Sequence, residues 1–82
     1  MIILPVDPEL QRYLHRHGLE RKFKKQLTLA ENDLFHPGLK TERLEPRNLK
    51  LWSFRLDRKY RVIFMFREPN VIEIIDVNNH YR

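Results

Sequence analysis

The strongest constraint on this chain is a change of period near its middle. From Trp52 onward the apolar residues recur every second position: Trp52, Phe54 and Leu56 alternate with Ser53, Arg55 and Asp57. Tyr60, Val62, Phe64 and Phe66 then alternate with Arg61, Ile63, Met65 and Arg67. A two-residue period is that of a strand with one face buried. Asp57-Arg58-Lys59 and Glu68-Pro69-Asn70 supply polar turns between such strands, and Val71 to Val77 reads as a third. Ile2-Ile3-Leu4, stopped by Pro5, is a candidate for a short first strand.

The first half has the helical period instead. Asp7 is placed as an N-cap, Pro8 as the first helical residue and Glu9 as an acid in the first turn. Leu10, Tyr13, Leu14 and His17 follow at helical spacing, and Gly18 is placed to end the helix. A second helix from Leu19 to about Asn32 puts Phe23, Leu27 and Ala30 on one face, with Arg21, Lys22, Lys24 and Lys25 clustered near its start. Phe35-His36-Pro37-Gly38 is a turn by composition. The expected architecture is α+β: two N-terminal helices packed on an antiparallel sheet of about four strands, in one domain spanning residues 1–82.

At 82 residues there is room for one modest core, so a tight partner would matter to folding as well as to regulation. Sixteen Lys and Arg against 11 Asp and Glu give a formal charge of +5, which favours polyanionic partners. The absence of cysteine excludes disulfides and thiolate chemistry. Met1 to Leu4 is too short for a signal peptide, and no apolar run approaches membrane-spanning length, so a cytoplasmic protein without a membrane partner is expected.

Metal-free RNA cleavage needs a base for the ribose 2′-hydroxyl, a cation for the phosphate oxygens and an acid for the leaving 5′-oxygen. Alternation puts Arg61 and Arg55 on the sheet face opposite the apolar residues, where two arginines from neighbouring strands would offer planar forks to a phosphate. The same alternation is met by ordinary solvated arginines. His80 and Tyr81 follow the last strand; the first can exchange a proton near neutrality and the second can donate one or stack on a base, unless the end is simply frayed. His15 and His17 lie two apart on a helix and face different directions, a poor chelate, so no metal and no cofactor is expected. Trp52 falls in phase with Phe54 and Leu56 and reads as core rather than as a stacking platform.

The stretches from Phe35 to Leu44 and from Leu51 to Arg55, the run Tyr60-Arg61-Val62-Ile63-Phe64 and the ending His80-Tyr81-Arg82 resemble RelE-superfamily toxins of type II toxin–antitoxin systems, with the YoeB-like subgroup nearest. That resemblance covers the last half of the chain, the helical half matching in layout. It implies an mRNA endoribonuclease that works in the ribosomal A site and is held inactive by a cognate antitoxin through a disordered acidic segment. It also assigns a catalytic set of Glu42, Arg61, His80 and Tyr81. Arg55, Lys40, Arg43 and Arg82 are the accompanying RNA-binding candidates. Glu45 stands where YoeB-like chains tend to carry a lysine, and Arg82 lies beyond the His-Tyr pair. Two rivals share the fold: a ParE-like inhibitor of DNA gyrase, against which the His80-Tyr81 pair argues, and a non-catalytic binding module.

Overall fold

The computed structural model describes residues 1–79. Strand β1 (Ile2–Ile3) leads into helices α1 (Pro8–Arg16) and α2 (Glu20–Asn32), followed by β2 (Glu42–Arg43), β3 (Trp52–Arg55), β4 (Arg61–Glu68) and β5 (Val71–Asn78). The sheet order is β1-β5-β4-β3-β2. Pairing is antiparallel except for β1, which lies parallel to β5 through Ile2↔Val71 and Ile3↔Ile72. The expected α+β architecture therefore holds. The two-residue β2 is the strand that the period-two reading did not contain.

The helix ends form as their residues dictate. The Asp7 carboxylate accepts the Glu9 N–H at 2.7 Å, with Pro8 at the first helical position. At the other end Gly18 adopts φ 64°. Its N–H reaches the His15 carbonyl, while the Leu19 N–H reaches that of Leu14 at 2.8 Å. This paired closure, with Leu14 and Leu19 both buried, is the Schellman arrangement. It turns the chain directly into α2, whose buried Phe23 and Ala30 and half-buried Leu27 face the sheet.

The core lies between the helices and one sheet face: Leu10, Leu14, Phe23 and Ala30 on one side, Phe54, Val62, Phe64, Ile72, Ile74 and Val77 on the other. Ile74 and Val77 are three apart and would point oppositely in a regular strand. A register shift between Ile63 and Phe64 absorbs one residue of β5, so both reach the core. Tyr60 packs edge-on against Tyr13, with His17 tilted over the Tyr13 ring.

The β3–β4 connection is fixed by one carboxylate. Asp57 Oδ1 accepts the N–H groups of Lys59 and Tyr60, and Oδ2 accepts Lys22 Nζ at 2.9 Å. Burial alone would raise this carboxyl, but the Lys22 hydrogen bond and the two amides outweigh it and hold its pKa below the ordinary Asp range. A carboxyl depressed on folding adds stability above about pH 4 that is lost as pH falls through the folded value. Asp57→Asn is therefore expected to cost about 1 kcal/mol at pH 7. It should also narrow the stability difference between pH 7 and pH 3, read from urea unfolding at the two pH values. No described helix is long and apolar enough to cross a membrane.

Candidate functional site

The sheet face turned away from the helices carries the candidate site. Register places Glu42 beside Ser53 and Arg55 beside Arg61, and Arg61 in turn beside Asn78. Three strands thus bring Glu42, Arg55 and Arg61 together from positions 19 residues apart in sequence at the extremes. Arg61 is not a solvated surface arginine: its side chain is only 14% exposed. Its Nε donates to Ser53 Oγ at 2.9 Å and its Nη2 to the Lys40 carbonyl at 2.7 Å. Glu42 Oε1 lies 3.9 Å from the same Nη2, and the Glu42 side chain is 56% exposed.

The electrostatics follow from that packing. Burial lowers the Arg61 pKa; the Glu42 carboxylate opposes the shift and the neighbouring Arg55 adds to it. The group stays a cation near neutrality, since a guanidinium does not deprotonate in proteins, but it is a cation with incomplete solvation. A second anion approaching the face would therefore be attracted strongly.

Lys40 enters this site through its backbone. It closes the single-turn 3₁₀ segment Pro37–Leu39 in the left-handed region, at φ 47°. Leu39 is fully buried and the Thr41 hydroxyl donates to the Leu34 carbonyl, which together fix the carbonyl aimed at Arg61. The Lys40 side chain is exposed.

Arg43 takes the other side. Adjacent strand residues point to opposite faces, so Arg43 lies with Trp52 rather than with Glu42. Its guanidinium sits 5.9 Å from the Trp52 ring centroid and Nη2 donates to the Arg47 carbonyl. Trp52 is partly buried, in edge contact with Phe35 and Phe66. His80, Tyr81 and Arg82 lie outside the described residues. His15 pairs with Glu20 at 3.0 Å while His17 lies on Tyr13, and among the described residues no group of three His, Cys, Asp or Glu side chains is arranged to hold a metal.

Sequence reasoning missed two elements of the site. Ser53 is fully buried although alternation puts it in the outward phase, and the Lys40 carbonyl carries no residue-type information at all. Ser53 was marked only by being a small residue between two aromatics, and its hydroxyl accepts from Arg61 Nε.

Residues 9–80 match the HigB-like toxin family, the RelE-like toxin of type II toxin–antitoxin system HigB. The chain belongs to that family of RelE-like toxins. No curated protein matches its sequence. Among solved structures, the YoeB/ParE toxin from Agrobacterium tumefaciens is similar over 99% of this chain and 100% of its own, with TM-score 0.72 at 18% identity. The YoeB dimer from Staphylococcus aureus covers 98% of this chain and 94% of its own, with TM-score 0.71 at 19% identity. The YoeB-YefM complex from Staphylococcus aureus matches over 99% and 98%, with TM-score 0.68 at 20% identity. At such identities the shared property is the fold.

Proposed function

We propose that this toxin is a ribosome-dependent mRNA endoribonuclease that cuts by metal-free acid–base chemistry, inhibiting translation in the cytoplasm. In this reading Glu42 takes the proton of a ribose 2′-hydroxyl, or orients the group that does. The 2′-oxygen attacks the adjacent phosphorus, and Arg61, helped by Arg55, neutralises the charge gathering on the phosphoryl oxygens. His80 gives its proton to the departing 5′-oxygen, leaving a 2′,3′-cyclic phosphate and a free 5′-hydroxyl. Tyr81 positions the chain end or stacks on a base. Arg55, with the side chains of Lys40 and Arg82, holds the RNA. Arg43, on the other face, would meet RNA only at a separate surface.

The observation that carries this reading is the partly buried Arg61, held on the open sheet face with Glu42 Oε1 3.9 Å away. Asn78, the register partner of Arg61, stands two residues before His80 in sequence. The partner is a cognate antitoxin, as in the YoeB-YefM complex, and a disordered acidic segment folding over the basic face would suit a chain of charge +5.

Cleavage of mRNA in a reconstituted translation reaction, run beside a gyrase supercoiling assay, tests the proposal. The expected result is cleavage with gyrase unaffected. His80→Ala should lower the cleavage rate by about 100-fold or more, with the melting temperature unchanged. Gyrase inhibition without cleavage would establish the ParE-like reading instead.

A further inference from the structure

Arg61 has five N–H donors, in two forks. Two of its three nitrogens are taken up inside the protein: Nε donates to Ser53 Oγ at 2.9 Å and Nη2 to the Lys40 carbonyl at 2.7 Å. Nη1 has no hydrogen-bond acceptor among the described residues. Glu42 Oε1 lies 3.9 Å from Nη2, too far for a hydrogen bond. A guanidinium gripped at Nε and Nη2 keeps the Nη1 donors for a phosphate oxygen.

We propose that Ser53 is a positioning residue, which with the Lys40 carbonyl holds Nε and Nη2 of Arg61 so that Nη1 is presented, pre-aimed, to the phosphate being cut. This inference rests on the endoribonuclease reading above. Three features support it. Ser53 is fully buried and lies on the outward face, where alternation calls for a solvated residue. Its hydroxyl therefore serves Arg61 and not solvent. The second acceptor is supplied by a non-glycine residue held in the left-handed region, a conformation that costs free energy and persists only when its surroundings impose it. Finally, both acceptors precede Arg61 on separate elements, Lys40 after the 3₁₀ turn and Ser53 in β3, so the guanidinium is fixed from two directions before any substrate arrives. A donor fixed in advance stabilises a transition state without reorganising during the reaction.

Ser53→Ala deletes one oxygen from a closed position and leaves the strand pairing intact, so the variant should fold. Two readouts test the inference on the full chain. In ¹⁵N-labelled protein, exchange of the Arg61 Nε hydrogen with water should be at least about tenfold faster in Ser53→Ala than in the parent, because its acceptor is gone. On translating ribosomes programmed with a defined mRNA, the maximal cleavage rate should fall about tenfold while the toxin concentration giving half-maximal rate stays unchanged. A Ser53→Ala chain with parental exchange and parental rate overturns the inference, as does a slowed chain whose Nε hydrogen exchanges as in the parent. A parent that protects this hydrogen yet cuts no RNA overturns the endoribonuclease reading and, with it, the catalytic purpose assigned to Ser53. A parent that cuts while Ser53→Ala cuts equally well overturns only the role of Ser53.

Discussion

An Arg61→Lys chain is expected to cleave ribosome-bound mRNA at least about 100-fold more slowly than the parent, the loss associated with removing one pre-aimed donor to developing negative charge. The charge is kept, so a role limited to attracting RNA would leave most of the rate. What is lost is the planar double fork. A lysine ammonium is a point charge that cannot serve the Ser53 hydroxyl and the Lys40 carbonyl together and still present two donors to a phosphate. Stability should fall by a smaller amount, about 1–2 kcal/mol, because the fully buried Ser53 hydroxyl loses its partner. Single-turnover cleavage and urea unfolding of the same preparation separate the two effects.

The second large effect is on stability. Phe54, on β3, is fully buried, with its ring centroid 5.6 Å from that of Phe64 on the central strand β4. Phe54→Ala removes that packing and leaves a cavity, at an expected cost of about 3–5 kcal/mol. A chain of this length has about 4–12 kcal/mol in total. The variant should therefore unfold at much lower urea concentration than the parent and lose most of its cooperative transition at 37 °C. Its neighbour Ser53, one position along and facing the other way, should show the converse when changed to alanine: a small stability change and a slowed reaction. The contrast expresses the division of labour across one strand, core on one face and site on the other.

Most of the fold was legible because its elements are long enough to show a period. The alternation from Trp52 to Arg67 set the two sheet faces, and the Asp7-Pro8 and Gly18 signals set the ends of α1. What escaped has no period to read. β2 is two residues long, too short for alternation, so nothing in the sequence tells that Glu42 and Arg43 face opposite ways. The parallel pairing of β1 with β5 joins residues about 70 apart and leaves no local trace. Ile63 is buried although it shares the outward phase with Arg61, as is Leu44 in the segment following β2. That face is thus partly apolar, which period-two reading treats as polar throughout.

The candidate site was legible in part for a related reason. Alternation put Arg61 and Arg55 on the face opposite the apolar residues of their strands, and the β3–β4 register sets them side by side. Whether an arginine is solvated or gripped depends on what the rest of the chain folds over it, and both acceptors of Arg61 lie outside any pattern of residue types: a serine in an outward position and a backbone carbonyl. Glu42 came from family resemblance alone, and the structure puts it on the same face as Arg61. His80 and Tyr81 rest on that resemblance and lie outside the described residues.

The central claim is that cleavage proceeds through the ribose 2′-hydroxyl on the face of Glu42 and Arg61. It is tested most directly with ribosomes carrying an mRNA in which the codon in the A site has 2′-deoxyribose at the nucleotide 5′ to the cut. The account predicts that the all-ribose message is cut to a 2′,3′-cyclic phosphate and a 5′-hydroxyl end, and that the single deoxy substitution blocks the cut at that bond. Equal cleavage of both messages at the same bond, or no cleavage of the all-ribose message by the parent toxin, would contradict it.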